Sequence, residues 1–202
     1  MNYFEALPAS IFQSIQKLKN LLSSYTKRAY LVGGCVRDIL RGIEPKDVDI
    51  EVYDIEPKLF AKLMESIGAK GVGKAFFVYK WNELDIALAR EENKTASGHQ
   101  GFEVRVCQDE KVASSRRDFT CNALMVGLND GKLYDFWGGV GDINASILRH
   151  IDSEKFSEDP LRVLRGVQFC SRFGFRIADE TLELMKSFSK RFNWHRAKIP
   201  WA

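Results

Sequence analysis

The chain has 202 residues, of which 45% are hydrophobic and 28% are charged, and its formal net charge is +3. Such a composition is typical of a globular protein with a buried core, in one large domain or two small ones, and the small net charge permits a nucleic-acid partner without indicating one. Four widely spaced cysteines and the lack of a membrane-length apolar run indicate a cytoplasmic protein with reduced thiols, rather than a zinc, disulfide-bonded or membrane protein.

Helices and strands alternate over the first three-quarters of the chain. The predicted elements are a helix over residues 11–22, a strand over 29–32, a helix over 36–40 ended by Gly42, a strand over 48–52, a helix over 57–67 ended by Gly68, a hairpin of 76–79 with 84–88, and a strand over 102–106. Apolar and acidic residues alternate in the strand over 48–52, so it is predicted to bury one face and expose the other.

The alternation of predicted strands and helices ends near residue 151. Beyond it, residues 159–173 and 179–188 have the spacing of two helices and little strand potential. We therefore expect a head domain of strands and helices over residues 1–151 and a small helical neck over 152–202. Residues 191–202 carry several cations and two tryptophans without a helical or strand period, so the neck is expected to be truncated.

Two aspartates lie two residues apart at one predicted strand. Asp47 and Asp49 share a face of that strand with Cα atoms about 6.5 Å apart, and hard divalent cations prefer carboxylate oxygens. Two metal ions held there would stabilise the attacking and leaving oxygens of a nucleotidyl transfer. The alternative is that both aspartates, with Glu51, form a solvated face. Asp85, on a later strand, would join them if the two strands are neighbours, as a metal ligand or a general base.

A glycine pair follows the first predicted strand. Gly33 and Gly34 permit positive φ and a close approach of phosphate to the backbone, and the helix behind them offers N–H groups to an anion. Arg37, one turn into that helix, has the planar fork that binds phosphate. The alternative is an ordinary tight turn, with Arg37 paired to Asp38 or exposed.

Two further polar clusters interrupt the apolar sequence, at residues 115–123 and 158–165. The first holds two arginines, an aspartate and an asparagine. The second begins a predicted helix, with acidic residues in its first turn and Pro160 near its start. Arg162 and Arg165 lie three residues apart on one face of that helix, where they would hold a triphosphate or the edge of a base unless the face is simply solvated.

These motifs together resemble the class II tRNA nucleotidyltransferases, the bacterial CCA-adding enzymes of the polymerase-β-like superfamily, whose head the bacterial poly(A) polymerases share. The resemblance rests on four ordered segments, residues 33–38, 47–49, 116–123 and 158–165, and covers residues 30–188. It implies an α+β fold, in which a nucleotidyltransferase head with a mixed β-sheet flanked by helices is followed by a small helical neck.

The resemblance also implies the roles of individual residues. Asp47 and Asp49 would bind Mg²⁺, and Asp85 would be the third active-site carboxylate. The nucleotide-binding set would comprise Gly33, Gly34, Arg37, Arg117, Asp118, Asn122, Arg162 and Arg165. In the implied reaction, the 3′-hydroxyl of tRNA attacks the α-phosphate of CTP or ATP and pyrophosphate leaves, with no membrane and no obligate protein partner.

Departures from the family pattern leave alternatives open. In the family, a further neck motif rich in acidic residues and arginine selects the incoming base, whereas residues 189–196 contain no acidic residue. The body and tail helices that grip tRNA are also expected to be missing. The alternatives are a poly(A) polymerase, an enzyme that adds only CC or only A, and a catalytically impaired RNA-binding remnant. The uninterrupted motif over residues 158–165 favours CCA addition.

Overall fold

The structure of the chain is a computed structural model that describes residues 2–72, 78–94 and 102–189. The first two residues of the strand predicted over 76–79 and the tail over 191–202 lie outside these ranges. Within them, every helix is too short or too polar to cross a lipid bilayer.

A mixed seven-stranded sheet lies at the centre of the structure. The strands are, in chain order, β1 (Ala29–Val32), β2 (Val48–Val52), β3 (Lys70–Val72), β4 (Val78–Trp81), β5 (Leu84–Leu88), β6 (Arg90–Lys94), β7 (Phe102–Val106), β8 (Met125–Gly127), β9 (Leu133–Tyr134), β10 (Ile147–Leu148) and β11 (Arg176–Ile177). The large sheet has the order β3-β4-β5-β2-β1-β8-β9. In it, β2 and β5 run parallel, and the other neighbours run antiparallel. The pairs β6–β7 and β10–β11 form small separate sheets.

Helices flank this sheet, which confirms the predicted α+β fold class. They are α1 (Ala9–Leu22), α2 (Gly34–Leu40), α3 (Pro57–Ser66), α4 (Glu110–Ser115), α5 (Gly139–Asn144), α6 (Ser153–Glu158), α7 (Leu161–Phe173) and α8 (Asp179–Ser189). Two short 3₁₀ helices span Tyr3–Ala6 and Thr120–Asn122.

Local sequence signals explain the first helices and confirm their prediction. In α1, apolar residues at helical spacing, including Ile15 and Leu18, are buried against the sheet. In α3, Pro57 occupies the first turn, and the Glu56 side chain accepts hydrogen bonds from the backbone N–H groups of Lys58 and Leu59. Gly68 lies just after α3 with φ of +77°, the left-handed geometry that commonly ends a helix.

Three predicted helix starts were wrong by two residues. α1 begins at Ala9 rather than at residue 11. α2 begins at Gly34 rather than at residue 36. α7 begins at Leu161, because Asp159 precedes a proline and has extended backbone (φ −123°, ψ 103°) that cannot continue a helix. The acidic residues therefore precede α7 instead of lying in its first turn, and Asp159 Oδ1 accepts the backbone N–H of Leu161 at 3.0 Å.

An apolar core lies under the sheet and continues beneath α6, α7 and α8. Phe119 is fully buried and makes edge-on ring contacts with Phe156 of α6 and Phe169 of α7, at centroid distances of 5.7 and 5.6 Å. These contacts bring α7 over the segment that carries Arg116 and Arg117. The division into a head over 1–151 and a neck over 152–202 stays a prediction.

Candidate active site

The glycine pair forms the turn between β1 and α2. Gly33 has φ of +77° and ψ of −133°, a conformation that residues with a side chain rarely adopt. A Cβ atom on Gly33 would lie 2.6 Å from Arg117 Nη1, so the guanidinium packs directly on the turn. A Cβ atom on Gly34 would meet Arg37 Nη2 at 3.5 Å, an ordinary contact. The fold therefore requires glycine at position 33, whereas at position 34 it does not.

Two of the three predicted carboxylates lie side by side where β2 and β5 pair. Asp49 of β2 and Asp85 of β5 are direct register partners in the parallel pair. Asp47 precedes β2 and is exposed. Asp85 Oδ1 also forms an ion pair with Lys80 Nζ at 3.2 Å. Among the described residues, no three histidine, cysteine or carboxylate side chains converge closely enough to enclose a metal ion by themselves.

Asp49 lies close to several other carboxylates. Its pKa lies above the ordinary value, chiefly because neighbouring protein displaces water; Arg117 opposes this rise, whereas Asp85, Glu51 and Asp47 add to it. The carboxyl group nevertheless opens to solvent in two clefts. A cation at Asp49 would relieve the repulsion. Mg²⁺ sites commonly combine one or two protein carboxylates with substrate phosphates, so the residues present fit such an ion.

Glu51 is not solvated, so the alternative interpretation, in which Glu51 continues a solvated strand face, does not hold for this residue. It is only 2% exposed. Its Oε1 accepts hydrogen bonds from Arg116 Nη2 at 2.5 Å and Arg117 Nη2 at 3.0 Å, and the Tyr53 hydroxyl donates to Oε2 at 3.3 Å. Burial acts to raise the pKa of Glu51, but the two guanidinium groups outweigh burial and lower it. Alternation shows which residues share a face but not what covers that face.

A cleft of about 580 Å³ opens beside Asp49. Its lining consists of Gly34, Arg37, Asp49, Arg116, Arg117, Asp118, Asn122, Asp159, Leu161, Arg162, Arg165 and Phe169. Most of the predicted site residues thus meet in one place, while Gly33, Asp47 and Asp85 lie outside this lining. Five arginines against three aspartates make the cleft suitable for a polyanion such as a triphosphate.

A second cleft, of about 260 Å³, lies on the other side of Asp49. Asp85 and Arg90 line it together with Asp49 and Arg117, which also line the first cleft. Asp49 therefore stands where the two clefts meet. A reaction at Asp49 would have room for one reactant on each side.

Arg37 is buried and already engaged. Its Nε and Nη2 donate to Asp38 Oδ1 at 2.9 and 2.8 Å, and Nη1 donates to Asn122 Oδ1 at 2.6 Å. The guanidinium carbon lies 4.3 Å from the centre of the Phe173 ring. The pairing with Asp38 corresponds to the alternative interpretation of the sequence. Direct phosphate binding by Arg37 stays a prediction.

The two arginines of α7 share one face of the helix, as their spacing predicted. Both line the first cleft, and both bind the segment around residue 117. Arg165 Nε donates to Asp118 Oδ2 at 2.6 Å, and Asp118 Oδ1 accepts from Asn122 Nδ2 at 2.9 Å. Arg162 donates to the backbone carbonyls of Arg116 and Arg117, at 2.5 and 3.4 Å. These bonds fix α7 relative to the cleft floor.

Sequence reasoning missed Glu51 and Arg116 as parts of the site. One signal was available, because Glu51 continues the alternation of Asp47 and Asp49 on the same strand face. The burial of that face by an arginine pair more than sixty residues later could not be inferred from spacing.

Comparison with known proteins agrees with this geometry. The family model of the poly A polymerase head domain matches residues 29–149. A multifunctional CCA protein of Neisseria gonorrhoeae is 43% identical over 163 residues, which cover 79% of this chain and 38% of that protein. The chain therefore spans well under half the length of this curated relative.

Solved structures of CCA-adding enzymes have the same fold. One, in complex with CTP, has a TM-score of 0.76 and 27% identity over 96% of this chain and 46% of its own. The enzyme of Thermotoga maritima, in complex with tRNA-CCA, has a TM-score of 0.75 and 29% identity over 94% of this chain and 44% of its own. Because the family model matches more than half of the residues, this chain belongs to the poly A polymerase head domain family.

Proposed function

We propose that the chain is the catalytic head of a template-independent nucleotidyltransferase, which adds C and A from CTP and ATP to the 3′ end of tRNA and releases pyrophosphate. The observation that carries this proposal is the position of Asp49, between an arginine-rich cleft and a second cleft beside Asp85. The likeness to CCA-adding enzymes supports tRNA and these two triphosphates as substrates. A cytoplasmic location, where such substrates occur, is part of the proposal.

The family is one of nucleotidyltransferases, which implies use of a divalent metal ion. We propose Mg²⁺, held by Asp47 and Asp49 together with triphosphate oxygens, with Asp85 as the third carboxylate. When bound, the ions would lower the pKa of the attacking hydroxyl and neutralise charge on the departing pyrophosphate.

Other residues of the two clefts would bind the nucleotide and the RNA. In the first cleft, Arg117, Arg162 and Arg165 would bind the triphosphate, and Gly34, which also lines this cleft, would let a phosphate approach the backbone. Asp118 and Asn122 hold Arg165 and Arg37 through direct hydrogen bonds, so they would order the cleft rather than react. The second cleft would receive the RNA 3′ end next to Asp85, which would serve as ligand or base for the hydroxyl proton.

Incorporation of labelled nucleotides tests the proposal. The full 202-residue chain is incubated with Mg²⁺, each NTP separately and in pairs, and tRNA transcripts ending before CCA, after C and after CC. Addition of C and then A, with a stop after the terminal A, is the expected result. Running addition of A alone would overturn CCA addition in favour of poly(A) synthesis. The absence of any incorporation, with CTP and ATP still bound, would contradict catalysis by this chain and support an RNA-binding remnant.

A further inference from the structure

Glu51 sits two residues beyond Asp49 on β2 and has both carboxylate oxygens occupied. Oε1 accepts from Arg116 and Arg117, and Oε2 accepts from Tyr53. One buried carboxylate therefore binds two guanidinium groups.

Arg117 lies within electrostatic reach of two carboxylates on the same strand. It binds Glu51, and it lines both of the clefts that Asp49 lines. Its Nη1 packs on the Gly33 turn, which limits the directions in which the guanidinium can point. Without a charged Glu51, Asp49 would be the next anionic partner for Arg117, because a largely buried cation is costly to leave unpaired.

An arginine paired to Asp49 would compete with a metal ion for the same carboxylate oxygens. We propose that Glu51 is a positioning residue that holds Arg117 off Asp49 and so keeps this carboxylate available to a divalent cation. This proposal rests on the proposed function, because the proposed function assigns metal binding to Asp49. It adds a role for a residue that the sequence did not identify as part of the site.

A double-mutant cycle on metal affinity tests this role without any transfer reaction. Mn²⁺, which accepts the same oxygen ligands as Mg²⁺, is titrated into the full chain, and the free ion is followed by electron paramagnetic resonance. Glu51→Gln should weaken Mn²⁺ binding about tenfold, or about 1.4 kcal/mol. Arg117→Ala alone should change it less than about twofold, and adding Arg117→Ala to Glu51→Gln should restore most of the loss.

The pattern of the cycle separates positioning from a general effect of charge. If Glu51 merely added negative potential, the Arg117→Ala substitution would change Mn²⁺ affinity equally in both backgrounds, and the proposal would be overturned. Tyr53→Phe is the matched control, since it removes one hydrogen bond to Glu51 but keeps both ion pairs, and it should leave Mn²⁺ affinity unchanged.

If circular dichroism shows that Glu51→Gln does not fold, Glu51→Asp replaces it in the cycle. Glu51→Asp keeps the negative charge on a shorter side chain, so it should weaken Mn²⁺ binding by a smaller factor, which Arg117→Ala should again restore. If the effects of Glu51→Asp and Arg117→Ala on Mn²⁺ affinity were simply additive, the proposal would be overturned. Because Mn²⁺ binding is read directly, a chain that fails to transfer nucleotides but shows the coupling would contradict the proposed function and still support the role of Glu51.

Discussion

Asp49 and Asp85 face each other in register across the parallel strands β2 and β5. This pairing depends on a crossover between β2 and β5 that carries α3, β3 and β4, so the two carboxylates meet through topology rather than proximity in sequence. Their mutual repulsion contributes to the raised pKa of Asp49.

Replacement of Asp49 by Asn should abolish nucleotide transfer, with kcat reduced by about 1,000-fold or more, because a bound metal is worth several kcal/mol to such a reaction. The fold should stay intact, since removal of one carboxylate relieves repulsion at this edge. Transfer rates and thermal unfolding of the purified variant check both points. Exposed Glu44 offers a matched control, as Glu44→Gln should retain full activity. Retained turnover in Asp49→Asn would refute the metal assignment.

The glycine pair allows stability and binding to be separated. Gly33→Ala should lower the free energy of unfolding by about 1–3 kcal/mol, because it forces a positive φ on alanine and brings Cβ against Arg117. Gly34→Ala should leave stability nearly unchanged but raise the KM for CTP about tenfold, since its methyl group enters the cleft. Urea unfolding and steady-state kinetics measure the two effects. Equal KM values for wild type and Gly34→Ala would mean that no phosphate approaches this residue.

Arg162→Ala should weaken binding of CTP and ATP about 10- to 100-fold, as expected for loss of a charge-assisted hydrogen bond. It also frees the backbone carbonyls that Arg162 now binds, so Arg162→Lys should recover only part of the affinity. Isothermal titration calorimetry of each nucleotide provides the measurement. Arg172→Ala, on the same helix but outside the cleft lining, is the control. Unchanged affinity in Arg162→Ala would contradict a role of this arginine in nucleotide binding and leave its bonds to the backbone as its function.

An ion-pair cluster away from the cleft predicts a pH effect on stability. Glu110 accepts hydrogen bonds from Arg28 Nε at 2.9 Å and the Tyr30 hydroxyl at 2.7 Å. Burial acts to raise the pKa of Glu110, but these bonds outweigh it, so the folded-state pKa is lowered. Such a carboxyl stabilises the fold above its unfolded pKa, about 4.3, and loses this effect as the pH falls through the folded value.

Glu110→Gln should therefore lower the free energy of unfolding by about 1–2 kcal/mol at pH 7, discounted for the partial exposure of Arg28, and by much less near pH 3. Urea unfolding of wild type and variant at the two pH values gives the comparison. A penalty of the same size at both would show that the carboxylate charge is not what stabilises this cluster.

Short-range patterns predicted much of the fold and the site. Alternation in β2 placed Asp49 opposite the buried Ile50, and the glycine pair marked the turn before α2, because both features depend on residues close together in sequence. The strand order was not predictable, since β2 pairs with a strand more than thirty residues later. Strands of two or three residues, such as β8 and β9, carry no period of their own.

The partners of the arginines were the least predictable part of the site. The sequence left Arg37 either on phosphate or on Asp38, and the structure adds Asn122, eighty-five positions away. The burial of Glu51 depends in the same way on the long-range approach of Arg116. Charged side chains reach across elements, so their contacts follow from tertiary packing, which periodicity does not encode.

The bonds from Arg162 to the carbonyls of residues 116 and 117 have a mechanical consequence. The side chains of those two residues also form ion pairs with Glu51 on β2, so Arg116 and Arg117 link α7 to the strand that bears Asp49. A tilt of α7 would therefore be transmitted along this linkage as a displacement of Arg117, which lines both clefts.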